Sequence, residues 1–129
     1  MSIFNETFTE FFGCLNRHDV DYILVGGYTV VLHGYPRMTG DLDIWVRCDE
    51  ANYQQLILAF KDFNMPIFDM TLANFIDTDQ FDVFKYGRPP LGIDIITKLK
   101  GLNYGDAKIE AIPMKILMEQ KFVTSMLGI

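Results

Sequence analysis

The sequence predicts an α/β (α+β) fold, a mixed β-sheet flanked by helices. Two observations carry this. Short apolar runs bounded by glycine and proline alternate with longer stretches of helical periodicity. Half of the 129 residues are hydrophobic and 14% are aromatic, enough to build a core rather than a disordered chain. The length suits a single domain over residues 1–129.

The elements follow in order. Phe4 to Arg17 carries Phe4, Phe8, Phe11, Phe12 and Leu15 near an i, i+3, i+4 rhythm and reads as an amphipathic helix. Asp19-Val20-Asp21 is a turn, and Tyr22-Ile23-Leu24-Val25 a short buried strand. Gly26-Gly27 ends that strand, Tyr28 to His33 reads as helix, and Gly34-Tyr35-Pro36 breaks it. Leu42 to Arg47 is a second strand. Leu42, Ile44 and Val46 face one way; Asp41, Asp43 and Trp45 face the other. Asp49 is placed to cap a helix over Ala51 to Phe63. A short helix is expected near Leu72 to Ile76. Phe81 to Tyr86 and Leu91 to Thr97 read as a strand pair across Gly87-Arg88-Pro89-Pro90. Lys108 to Ile112 reads as a last strand, and Pro113 as the start of a final helix through Met126.

The bulk chemistry excludes several classes. Cys14 and Cys48 are isolated from each other and from histidine, so neither a zinc knuckle nor a disulfide framework is expected. The N-terminus shows no signal-peptide pattern, and the apolar run from Tyr22 to Tyr35 is broken too often to span a bilayer. A cytoplasmic protein with two reduced thiols is the expectation. The net charge of −6 argues against a broad nucleic-acid surface. The charge is uneven: residues 1–97 hold 14 acids and 6 bases, whereas residues 98–129 hold 3 acids and 5 bases. Those later lysines form either a solvated helix face or a phosphate-facing one.

Three features carry chemistry. Gly26-Gly27 stands between a strand and a helix, where bare backbone amides can approach a phosphate. The same pair also suits a plain tight turn, and it is neither GxGxxG nor a Walker loop. In Asp41-Leu42-Asp43, residues two apart on a strand share a face, so both carboxylates project together. At about 5 Å they would repel by roughly 3 kcal/mol at an effective dielectric near 20. A hard divalent cation removes that penalty; two solvated aspartates at a strand start are the alternative. Asp94 lies inside the apolar run Gly92-Ile93-Asp94-Ile95-Ile96, where an acid is costly unless partnered. Either this strand is an edge with one polar face, or Asp94 points into a site.

Lesser candidates surround these. Arg37, just before the acid pair, is suited to bridging phosphate oxygens or to pairing with Asp41 or Asp43. Thr39 fixes the turn or adds a contact. His33 reads as a packing or capping residue. Lys98, four residues after Asp94, either reaches phosphate or lies on the surface. Cys48 has no base near it in sequence and makes a poor nucleophile.

Taken together, Val25-Gly26-Gly27-Tyr28, His33-Gly34, Arg37, Thr39, Asp41-Leu42-Asp43-Ile44 and Ile93-Asp94-Ile95-Ile96 resemble the polymerase-beta-type nucleotidyltransferase superfamily. The likeness is nearest to the small bacterial branch that includes abortive-infection (AbiEii-like) toxins, and it covers about residues 20–97. The resemblance implies a nucleotidyltransferase-like sheet and transfer of a nucleotidyl group from a nucleoside triphosphate such as ATP, with release of pyrophosphate. It implies that Gly26 and Gly27 hold the triphosphate, and that Asp41, Asp43 and Asp94 hold Mg²⁺ (or Mn²⁺). Asp94 would also help deprotonate the acceptor hydroxyl, while Arg37, Thr39 and Lys98 stand as nucleotide contacts. The acceptor would be a protein, a tRNA end or a small molecule.

The chain departs from the superfamily in two ways. It has Gly26-Gly27 where many members have Gly-Ser. Members that modify antibiotics or RNA usually add a further helical domain that binds the acceptor, and in a chain ending at Ile129 much of that apparatus is expected to be missing. A truncated chain, a protein partner or a second copy in a homodimer would account for the latter. Two other readings stand beside the enzyme: a non-catalytic nucleotide- or metal-binding module or partner subunit on the same fold, and a structural domain with incidental acids.

Overall fold

The structure is a computed structural model and describes residues 6–25, 41–88, 91–110, 112–113 and 125–126. Helix α1 (Glu6–Arg17) forms because Phe8, Phe11, Phe12 and Leu15 fall on one face, and all four are buried. It stops at Asp19, whose φ of 54° is left-handed, and the Val20 amide closes on the Leu15 carbonyl at 3.0 Å. That reversal delivers the chain into strand β1 (Tyr22–Val25), buried along its whole length.

Strand β2 (Asp41–Val46) runs antiparallel to β1. Asp49 then caps helix α2 (Glu50–Asp62), its carboxylate accepting the Asn52 amide at 2.7 Å. The helix ends as α1 does: Asn64 takes φ 61° and the Met65 amide bonds the Phe60 carbonyl at 2.9 Å. A one-and-a-half-turn helix α3 (Leu72–Ile76) is capped by Thr71. Strands β3 (Val83–Arg88) and β4 (Leu91–Ile96) form an antiparallel hairpin, with Gly87 at φ 84° as the chain nears its turn.

Helix α4 (Tyr104–Glu110) begins where Asn103 Oδ1 accepts the Asp106 amide at 3.0 Å. This corrects the strand expected from Lys108 to Ile112: the Asn103 cap and the buried Ala107 make Lys108 to Glu110 helical. Among the described residues strand β5 (Ile112–Pro113) follows, and it pairs with β6 (Ser125–Met126). Pro113 therefore sits in a strand rather than opening a helix, and Ser125 and Met126 are also strand. Residues 114–124 of the expected final helix lie outside the described residues.

The sheet order is β3-β4-β2-β1-β6-β5. Strand β2 is parallel to β4 and β1 is parallel to β6; the other neighbours are antiparallel. This is the mixed sheet of an α+β fold. One face carries Tyr22, Leu24, Leu42, Ile44, Val46, Phe84, Tyr86, Ile93 and Ile95 into the main core under α1, α2 and α3. Aromatic edges lock the helices together there; the Phe11 ring meets Phe60 at 5.8 Å and Phe63 at 5.0 Å. On the opposite face, Ile23, Val25 and Trp45 pack with Ala107 of α4 in a smaller cluster that Tyr104, Ile96 and Leu99 border. The division of β2 into an apolar side and a side bearing Asp43 and Trp45 is therefore observed.

A polar network ties α4 to the rest. Tyr104 donates to Asp21 Oδ1 at 2.8 Å, Lys108 Nζ stands 3.2 Å from the same oxygen, and Arg47 pairs with the other. Asn52, buried in α2, accepts the Asp21 amide at 2.8 Å. Its side-chain amide donates to the carbonyls of Asp21 at 3.0 Å and Arg47 at 2.8 Å. These bonds fix where β1 begins and β2 ends, and so fix the register between them.

Candidate functional site

The register of the sheet sets four residues in one row. Val25 of β1 is the partner of Asp43 in β2; Asp43 is the partner of Asp94 in β4; Asp94 is the partner of Lys85 in β3. Residues opposite one another in neighbouring strands share a face. The row therefore lies on the α4 side of the sheet, away from the main core. Adjacent strands are about 4.8 Å apart, so Asp43 and Asp94 rise from neighbouring positions although about fifty residues of chain separate them.

Each position has a local cause. Asp43 alternates with buried Leu42 and Ile44, which anchor β2 to the core and turn the aspartate to the other face. Asp94 is flanked in the same way by Ile93 and Ile95. Strand β4 is an inner strand, bonded to β3 on one side and β2 on the other, so the edge-strand alternative for Asp94 does not hold. Two residues further along β2, Trp45 is buried and its ring meets Tyr104 edge-on at 5.1 Å. The Trp45 indole N–H is buried without a hydrogen-bond partner among the described residues.

The electrostatics of the row are those of two acids beside one base. Lys85 Nζ lies 3.2 Å from Asp94 Oδ2; the lysine side chain is 72% exposed and that of the aspartate 15%. A largely covered carboxylate thus carries an ammonium at the solvent edge of the sheet. Asp43 is half-buried and also takes part in an interaction.

The other expected site residues fall differently. Asp41 opens β2 with its backbone opposite Gly92, and its side chain lies outside what the structure describes. Gly26, Gly27, Arg37 and Thr39 lie outside the described residues, as does His33. Val25, immediately before the two glycines, is nevertheless the partner of Asp43, so β1 hands the chain to them beside the acid row. Lys98 is exposed and lies two residues past the end of β4, beyond Ile96 and outside the row.

Lys85 is the residue sequence reasoning missed. The signal was present: a hairpin whose last pair is Arg88 with Leu91 sets Lys85 opposite Asp94 by counting back three pairs.

Both cysteines are free thiols. Burial pushes the Cys14 and Cys48 thiols up, with Asp62 adding to the first and Asp49 to the second, so neither is a ready nucleophile. A shallow hollow lined by Arg17, His18, Leu58, Lys61 and Asp62 lies where α1 ends beside α2. Arg17 and His18 there already pair with Asp62 at 3.0 and 3.1 Å.

As a test of fit to a hard divalent ion, the row offers carboxylate oxygens, the donor type such an ion takes. The Lys85 ammonium on Asp94 Oδ2 shows that this oxygen accepts a cation. Among the described residues, no three His, Cys, Asp or Glu side chains gather as a metal set. The two described carboxylates would supply part of one. No helix among the described residues is long and apolar enough to cross a membrane. Comparison with protein-family models, curated proteins and solved structures finds no match to the chain.

Proposed function

We propose that the chain is a metal-dependent nucleotidyltransferase that moves an NMP group from an NTP to an acceptor hydroxyl. The observation that carries this reading is the pairing of Asp43 with Asp94 on adjacent parallel strands, one strand from the residue that precedes Gly26-Gly27. Two carboxylates set together on the face away from the main core serve no packing purpose, but suit cation and phosphate chemistry.

In this reading Asp41, Asp43 and Asp94 would hold Mg²⁺ or Mn²⁺, which would supply positive charge to the triphosphate. The backbone of Gly26 and Gly27 receives the phosphates, with Arg37 and Thr39 as further contacts. Asp94 takes the proton of the acceptor hydroxyl. The acceptor oxygen forms a bond to the α-phosphorus as the α–β anhydride breaks and pyrophosphate leaves. Trp45 and the apolar cluster around it keep water from one flank of the acids. The acceptor class, and a toxin-like role beside an antitoxin partner, follow from the resemblance alone.

The test is transfer of α-labelled NTP to components of a cell lysate. Wild-type protein with Mg²⁺ should label an acceptor and Asp94→Asn should not. One observation favours a second reading, a nucleotide- or metal-binding module without turnover: Asp94 already holds Lys85. Wild type that binds NTP yet labels nothing in any lysate would support that module.

A further inference from the structure

We propose that Lys85 is a nucleotide-binding residue held in reserve on Asp94. Its ammonium neutralises Asp94 while the cation is absent, then moves onto the phosphates of the nucleotide once a cation takes the carboxylate. The inference rests on reading Asp43 and Asp94 as a cation site, and deepens it by adding a phosphate contact from β3.

Three observations carry it. First, the hairpin register fixes Lys85 directly beside Asp94 in the row, so the pairing is built into the backbone. Secondly, the pair is asymmetric: the carboxylate is mostly covered, whereas the lysine is mostly in solvent. An exposed ammonium leaves such a pair at little cost, while the acid stays in place. Thirdly, β3 is the outermost strand of the sheet among the described residues, and the lysine side chain is 72% exposed there. A divalent ion and an ammonium compete for one carboxylate oxygen, and a displaced ammonium is drawn to the polyanionic phosphate chain that the proposed nucleotide brings.

Lysine on a sheet edge also has a plain use, since its charge deters pairing with another chain. The two roles predict different measurements. Mn²⁺ binding to the full chain, followed through the paramagnetic resonance of the free ion, separates them. Without nucleotide, Lys85→Met should bind Mn²⁺ about fivefold more tightly than wild type, because the competing charge is gone. Lys85→Arg, which keeps the charge, should stay close to wild type, and Asp94→Asn should lose binding. With Mn²⁺ saturating, a non-hydrolysable ATP analogue should bind Lys85→Met about tenfold more weakly than wild type. Equal Mn²⁺ affinity for wild type and Lys85→Met overturns the inference while the cation site stands, as does unchanged affinity for the analogue. Altered self-association as the sole effect of Lys85→Met would assign the lysine to edge protection and overturn it too. Failure of wild type and Lys85→Met alike to bind Mn²⁺ removes the cation site itself, and the role of Lys85 with it.

Discussion

Asp43 and Asp94 are direct register partners on parallel strands β2 and β4, each held in place by isoleucine or leucine neighbours that point into the main core. Every proposal about this protein's chemistry passes through that pair. Its geometry depends on β2 lying between β1 and β4 in one register, which the Asn52 and Asp21 bonds secure at the far end of the strand.

Asn52 is therefore expected to be among the costliest polar positions to change. It is buried and bonded to three backbone groups, two on Asp21 and one on Arg47. Truncation leaves those groups without their partner. Asn52→Ala should lower stability by about 3 kcal/mol in urea unfolding. A loss below about 1 kcal/mol would mean that water replaces the amide and that the register is held elsewhere.

Acid should weaken the fold through Asp21. Burial pushes its carboxyl up. The Tyr104 hydrogen bond, the charge and hydrogen bond of Lys108 and the charge of Arg47 outweigh this and hold it below the usual carboxylate range. The unfolded chain then binds the proton more readily than the folded one. Stability from this group is complete above the ordinary value of about 3.9 and drains as pH falls through the lower folded value. Asp49 and Asp62 are lowered as well and share that window. The decisive quantity is thus a difference: between about pH 6 and about pH 3, Lys108→Met should lose less stability than wild type. Equal losses in urea midpoints would show that Lys108 does not hold the Asp21 charge.

Trp45 is the chain's single tryptophan, buried and two residues from Asp43 on the same face. Its fluorescence should be that of a buried indole. Mn²⁺, a paramagnetic quencher, should reduce the emission in wild type and not in Asp94→Asn. Saturating Mn²⁺ with no change in emission would locate the ion away from β2.

Much of this arrangement is legible in the sequence. Tyr22–Val25 and Leu72–Ile76 are found where apolar runs and breakers put them, and Asp49 caps its helix as expected. The two faces of β2 follow from strict alternation, the most local of signals. What could not be read locally was pairing between distant strands. Asp94 looked like an edge-strand or site residue, and only the parallel pairing of β4 with β2 resolves that choice. Lys98 is near Asp94 in sequence; Lys85 is near it in space, through the pairing of a hairpin. The region after Lys98 misled for another reason. Lys108 to Ile112 reads as a strand, but an asparagine cap at Asn103 starts a helix that runs to Glu110 instead.

The most direct test is thermal unfolding with Mg²⁺ and each common NTP, on wild type, Asp43→Asn and Asp94→Asn. At about 100 times Kd a ligand adds about 2.7 kcal/mol, a rise of roughly 10 °C for a chain of this size. That rise is expected for at least one NTP, only with Mg²⁺ and only in wild type, the two variants unfolding normally without ligand. No Mg²⁺-dependent rise with any NTP, or a rise that survives both substitutions, would contradict it.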